Sequence, residues 1–402
     1  MSAGTPEPSL FASRAARVTL VMSCLFGTTG VILVFLPRWL EVERLLSGAE
    51  IGAVLALAQA ARIVTGPAIA YWADGAPDRR TPLRVVALCA LMAYGAFFTV
   101  AHDFWSLLLL GFVALSLTQA MTPLIEAATL RATAQGRLSY GVARGIGSVA
   151  FILANIGGGI LVARFGVGAI VVWVLVGLAT VIASSWLGLN RDAASKDAIT
   201  RDARRGALNA MLRNRRFMIL IVSCGLIQSA HAFYYGFSTL VWRGQGIPAD
   251  VVGLLWAFGV AIEVAFLWSL TPIERRVSPE ALIIAGAAGA VLRWLFMGFG
   301  PAGWVLWPLQ ALHALSFAAA HVGAMRLLFR ESTESSAAMA QTLYAVLSGG
   351  ILMGASTLLS GILYDFGGAQ GYWAMAVIAF AGGALAMLLL GPRRRASAAT
   401  PR

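Results

Sequence analysis

Charge is what this 402-residue chain has least of: Asp, Glu, Lys and Arg make up only 12% of it. A soluble domain carries about 25%, so an ordinary water-soluble globular protein is excluded. A hydrophobic fraction of 59% excludes intrinsic disorder as well. Cysteine is scarce too. Cys24, Cys89 and Cys224 each stand alone in an apolar run, which leaves no disulfide framework and no zinc cluster. The four histidines, His102, His231, His313 and His321, show no metal-ligand spacing, and no nucleophile motif accompanies them. A membrane-embedded enzyme is therefore not expected, nor a cofactor or a bound metal. Proline is sparse (14) beside 43 glycines, a balance that suits closely packed membrane helices.

What the chain has is long apolar runs. A bilayer core takes roughly 20 apolar residues per helix, and twelve runs qualify. They are 17–37, 50–73, 83–101, 104–128, 144–163, 167–188, 217–240, 250–271, 280–299, 302–326, 338–363 and 371–391. With the N-terminus placed inside, 23 of the 30 basic residues fall on inner segments. Only Arg38, Arg44, Arg164 and Arg243 fall outside, and Arg62, Arg144 and Arg293 lie within runs. The positive-inside rule then puts both termini in the cytoplasm. The net charge of +12 is thus an orientation signal, not a footprint for nucleic acid. The lipid bilayer is the expected partner, and a bacterial-type cytoplasmic membrane the expected location.

One long polar stretch, 190–216, separates residues 1–189 from residues 217–402, six runs on each side. The halves echo one another at an offset of about 201. Ile51-Gly52-Ala53-Val54-Leu55 answers Val252-Gly253-Leu254-Leu255-Trp256, and ten residues beyond each glycine sits a charge, Arg62 or Glu263. A parallel repeat of six helices is the arrangement expected of a major facilitator superfamily transporter, with its site between the halves.

Particular motifs carry the resemblance further. Ala70-Tyr71-Trp72-Ala73-Asp74-Gly75-Ala76-Pro77-Asp78-Arg79-Arg80 keeps the acid (Asp74) and the paired arginines (Arg79, Arg80) of that superfamily's gating loop. Tyr140-Gly141-Val142-Ala143-Arg144-Gly145-Ile146-Gly147-Ser148 precedes Phe151, and Gln228-Ser229-Ala230-His231-Ala232-Phe233-Tyr234-Tyr235 lies in the seventh run. Gly253-Leu254-Leu255-Trp256 leads to Glu263, and Leu312-His313-Ala314-Leu315-Ser316-Phe317 leads to His321. These four stretches resemble the phenylpropionate permease branch of the superfamily, which is in turn similar to lactose-permease-type proton symporters. That second resemblance implies a substrate site at Glu126, Arg144 and Phe151. It implies further functional positions at Glu263, Arg293 and His313 or His321. The carboxylate those symporters carry three residues after the histidine is absent, since Ser316 and Ala324 stand there.

Physics singles out the same residues. An ionisable group inside a bilayer costs about 2.5–3.5 kcal/mol on insertion scales, so it faces a cavity and pairs. Glu126 and Arg144 are each nine residues from Gln135 in the turn between them, hence at similar depth, at most about 13 Å from that turn. Glu263 and Arg293 are each fifteen residues from Ser278, and direct pairing about 20 Å in is expected. A plain structural bridge is the competing reading of each pair. Trp39, Trp105 and Trp242 read as interfacial anchors.

The expectation is an all-α integral membrane transporter that imports a small organic solute with protons, working as a monomer. The resemblance implies an aromatic carboxylic acid such as 3-phenylpropionate. Glu126, Arg144, Phe151, Gln228, His231, Tyr234, Tyr235, Arg293 and Phe317 are its candidate contacts. Glu263 is the leading proton carrier, with His231, His313 and His321 as further titrating candidates. A sugar or nucleoside proton symporter stays open. A drug efflux antiporter fits less well, because Ala154-Asn155 replaces that class's Gly-Pro before Gly157-Gly158-Gly159.

Overall fold

The computed structural model describes residues 14–61, 63–76, 78, 80–134, 138–189, 208–332 and 336–390, apart from a few side chains within them. The described residues are helical, with no strand among them. In the first half the helices are α1 (Arg14–Glu43), α2 (Gly48–Ala61), α3 (Thr65–Gly75), α4 (Arg80–Thr99), α5 (Phe104–Ala134), α6 (Tyr140–Phe165) and α7 (Ile170–Gly188). The second half begins with α8 (Arg215–Ser229), α9 (Ala232–Gly244), α10 (Ala249–Trp268), α11 (Leu270–Arg276) and α12 (Pro279–Met297). It continues through α13 (Leu306–His313), α14 (Ala320–Glu331), α15 (Ala337–Ala345), α16 (Met353–Gly367) and α17 (Gly371–Met387).

Ten helical stretches among the described residues are long and apolar enough to cross a membrane. The difference from the twelve runs in the sequence arises at two places. The second run is split between α2 and α3, leaving only a shorter apolar helix of 14 residues, Gly48–Ala61. Met339–Leu390 counts as one 52-residue stretch, although Gly368, at φ +51°, turns the chain between α16 and α17. Most of the expected linker 190–216 falls outside the described residues, and its last two arginines open α8.

Helix starts follow local chemistry. Asn214 caps α8 by accepting from the backbone N–H groups of Arg216 and Phe217. Ser278 accepts from Ala281 N–H at 3.1 Å, and Pro279 at the first helical position suits α12. Two π-helical segments interrupt the second half: Ala314–Ala319 between α13 and α14, and Val346–Leu352 between α15 and α16. Such segments rotate the side chains that follow them, and they concentrate at functional sites.

The tryptophan expectation fails at two of three positions. Trp105 is exposed, but Trp39 and Trp242 are buried at 2% and 1%. Trp39 packs on Phe97 and Phe98 with Arg44 over its ring, and Trp242 packs on Tyr234. Bundle packing has captured both rings before lipid headgroups could.

The halves meet through α6 against α10 and α2 against α16. Both crossings depend on glycine. A Cβ on Gly159 would stand 2.7 Å from the Ala249 carbonyl oxygen, and one on Gly52 would stand 3.0 Å from Gly361 Cα. Small residues let membrane helices approach this closely. Both contacts lie toward the end of the bundle away from the chain termini. There Asp365 joins the halves, accepting from Gly48 N–H at 2.7 Å and Ala49 N–H at 2.8 Å. Its neighbour Tyr364 donates to Glu41 Oε1 at 2.9 Å. At the opposite end, Arg216 ties α8 to Glu280, Glu331 and the Leu389 carbonyl, within the second half.

Candidate functional site

Between the halves lies a cavity of about 270 Å³. Its wall draws on both halves, from Thr29 on α1, Gln59 on α2, Thr118 on α5 and Phe151 on α6 to Tyr235 on α9 and Thr357 on α16. Two aromatic rings, aliphatic side chains and neutral hydroxyls or amides form it. No Asp, Glu, Lys, Arg or His is among the described lining residues. The expected contacts Phe151 and Tyr235 are therefore at this wall, whereas the charged candidates stand away from it.

The first charged group is in the first half. Arg144 Nε lies 3.4 Å from Glu126 Oε1, as the hairpin spacing predicts. Arg144 also donates to Ser148 Oγ at 3.0 Å, and its guanidinium sits 4.5 Å from the Phe26 ring centroid. The Arg144 and Glu126 side chains are 42% and 35% exposed, so both remain within reach of a solute. Arg144 lies seven residues before Phe151 on α6, about 10 Å along the helix axis.

The second group is in the second half and is built differently. Glu263 and Arg293 do not pair directly, as their spacing had suggested. His313 stands between them: its Nε2 is 3.4 Å from Glu263 Oε2, and its Nδ1 is 2.9 Å from Arg293 Nη1. Spacing fixes depth along two helices but not a third helix entering between them, and the π-helical segment begins immediately after His313. Arg293 is fully buried. Its Nη2 donates to Gln310 Oε1 at 2.8 Å, and its guanidinium lies 4.4 Å and 4.5 Å from the Tyr234 and Trp294 rings.

Tyr234 donates to the same Gln310 oxygen at 3.0 Å and stacks on Trp256 at 4.3 Å. His231 is also fully buried. Its Nδ1 lies 3.2 Å and 3.3 Å from the Ile227 and Gln228 carbonyl oxygens, so Nδ1 carries the hydrogen. Its Nε2 then accepts from Ser316 Oγ at 3.2 Å. Gln228 Nε2 donates to the Phe317 carbonyl at 3.4 Å. The Phe317 ring is stacked between His313 at 5.2 Å and the exposed His321 at 6.1 Å.

Of the gating-loop residues, Arg79 and the Asp74 side chain lie outside the described set, as does Arg62. Arg80 pairs with Asp78 at 3.4 Å. Asp78 Oδ1 accepts from the backbone N–H groups of Arg80 and Thr81 and from the Thr81 hydroxyl. Burial pulls the Asp78 carboxyl up, but the Thr81 hydrogen bonds and the Arg80 charge outweigh it and hold it below the ordinary carboxylate range.

Several lining and network residues escaped the sequence reading, among them Gln59, Thr118, Thr357 and Gln310. Gln310 had one available signal, since it lies three residues before His313 and so on the same helix face.

A family model described as the MFS_1 like family matches residues 17–375. A probable 3-phenylpropionic acid transporter of Escherichia coli (strain K12) is 31% identical over 361 residues, 88% of this chain and 92% of the relative. The maltose permease of Geobacillus stearothermophilus is 25% identical over 392 residues, 96% of each chain. Among solved structures, the nucleoside transporter NupG superposes with a TM-score of 0.81 at 14% identity. That superposition covers 94% of this chain and all of NupG, and it shows likeness of fold.

Proposed function

The chain belongs to the MFS_1 like family of transporters, and on that premise we propose that it imports a small aromatic carboxylic acid together with protons. The observation that carries the reading is the pairing of a charge-free cavity, walled by Phe151 and Tyr235, with an accessible Arg144 two helical turns away. An aryl ring in the cavity directs a terminal carboxylate along α6 toward Arg144, a geometry suited to a solute about 10 Å long. The named relative from Escherichia coli supports an acid of the 3-phenylpropionate kind. Glu263 carries the proton in this reading, being the carboxylate of the second charged group and still 20% exposed. No cofactor takes part; the proton gradient drives uptake.

The basic residues orient the chain with both termini in the cytoplasm of a bacterial-type inner membrane. Residues 1–189 and 217–402 form the two moving halves, with 190–216 as the cytoplasmic linker, and a monomer suffices. In that orientation the end joined by Asp365 faces out. Outward opening then requires the two glycine crossings to part.

A second reading, a sugar or nucleoside symporter, is favoured by the neutral hydroxyls and amides of the cavity wall and by the maltose permease relative. Purified protein in proteoliposomes with an imposed pH gradient separates the two. Labelled 3-phenylpropionate accumulates under the first reading; maltose or a nucleoside accumulating in its place would replace it.

A further inference from the structure

Gln310 is fully buried and uses only one end of its amide. Its Oε1 accepts from Arg293 Nη2 at 2.8 Å and from the Tyr234 hydroxyl at 3.0 Å, while its Nε2 has no partner. The amide cannot be turned over without cost, because a guanidinium has only donors and would then meet an NH₂ group. Gln310 thus presents an acceptor to one edge of a planar cation that is already held against two rings. With that edge anchored, the rigid fork leaves Nη1 directed at His313 Nδ1, 2.9 Å away.

The consequence falls on the imidazole. A donor-only partner at Nδ1 makes that nitrogen the acceptor, so the single hydrogen of the neutral ring sits on Nε2. Nε2–H is the side that faces Glu263 Oε2 at 3.4 Å. The other groups around His313 leave this assignment intact. Tyr234 on α9 and His231, in the turn before it, meet its ring at 5.8 Å, and Phe317, four residues further along the chain, carries no charge.

We infer that Gln310 is a positioning residue for proton coupling: by anchoring Arg293 it fixes His313 as the Nε2–H tautomer and keeps a hydrogen-bond donor aimed at Glu263. Arg293 and Gln310 act here by setting which ring nitrogen carries the hydrogen. The functional importance of this rests on Glu263 carrying the proton, as proposed above, but the tautomer itself does not.

The test therefore reads the ring directly. Full-length protein labelled with ¹⁵N-imidazole histidine, in lipid nanodiscs, gives nitrogen shifts for all four histidines, and His313→Asn identifies the pair belonging to His313. The wild type is expected to show His313 wholly as the Nε2–H form. Gln310→Met, which keeps the volume and removes the acceptor, is expected to lose that single form. Gln310→Glu retains the one oxygen position in use and is expected to restore it, an outcome that simple packing does not produce. If Gln310→Met does not assemble, Gln310→Asn withdraws the oxygen by one methylene and gives the same reading. An Nδ1–H or mixed ring in the wild type overturns the inference, as does a wild-type spectrum in the variant lacking the acceptor. Undiminished proton-driven uptake by Glu263→Gln would instead overturn the functional reading while leaving the tautomer result standing.

Discussion

The two charged groups of this bundle contain similar residues in opposite settings. In the first half, Glu126 and Arg144 form one ion pair of 3.4 Å with both partners partly exposed. In the second, Arg293 is sealed behind His313, Gln310 and two aromatic rings, and only Glu263 at the end of the chain of contacts keeps notable exposure. A partly exposed pair is weaker and more exchangeable than a sealed one; fully exposed pairs have a median strength of about 0–1 kcal/mol. A buried cation held by hydrogen bonds at both terminal nitrogens is costly to disturb and acts as a fixed local charge. In the function proposed above, this contrast divides the labour: the first group would trade partners with a charged solute, and the second would hold the surroundings of a titrating carboxylate constant.

Removing the sealed cation should have the largest effect. Arg293→Ala deletes its hydrogen bonds and empties the space beside Tyr234 and Trp294, at an expected cost of about 3–5 kcal/mol. Thermal unfolding in detergent should show a lowered midpoint together with lost uptake; a wild-type midpoint would mean the second group is no more rigid than the first. Arg144→Ala is next. It should leave the unfolding midpoint nearly unchanged while weakening acid binding about 10- to 100-fold, as expected for loss of a charge-assisted hydrogen bond worth about 1.5–3 kcal/mol. Unchanged affinity in calorimetric titration would remove Arg144 from the solute site.

Asp365→Ala tests whether the halves are held at the joined end independently of either charged group. Loss of the cap on α2 costs about 1 kcal/mol, roughly a fivefold shift toward opening. Spin-label distances across that end should lengthen, and an unchanged distribution would place the closure in the glycine crossings alone. The smallest effect belongs to the turn that Asp78 caps before α4. Asp78→Asn keeps a capping acceptor, so stability near neutral pH should change by less than about 0.5 kcal/mol. Asp78 titrates below its ordinary value of 3.8 in the folded chain. Its ionic contribution is therefore fully present above 3.8 and lost as pH falls through the lower folded value. Melts across acid pH should converge for the two proteins only in that range.

The sequence reading succeeded where the bilayer imposes a rule. Apolar length marked the spans, and equal spacing from Gln135 brought Glu126 to Arg144. The same arithmetic from Ser278 placed Glu263 and Arg293 at like depth but missed His313 between them, since lateral position depends on α13 and on the π-helical segment that follows it. The neutral wall of the cavity was also illegible. An amide or hydroxyl in an apolar run costs too little to stand out, so Gln59, Thr118 and Thr357 resembled the surrounding helix. Trp39 and Trp242 misled for the converse reason, as their positions near helix ends fit an interface equally well until packing is known.

In the proposed mechanism solute and proton are handled by separate groups, with Glu263 responsible for the proton. The most direct measurement follows proton entry and solute entry together in proteoliposomes containing Glu263→Gln. Downhill solute flux and counterflow are predicted to continue with no accompanying proton movement and no response to an imposed pH gradient. Proton entry at the wild-type ratio to solute would contradict the claim.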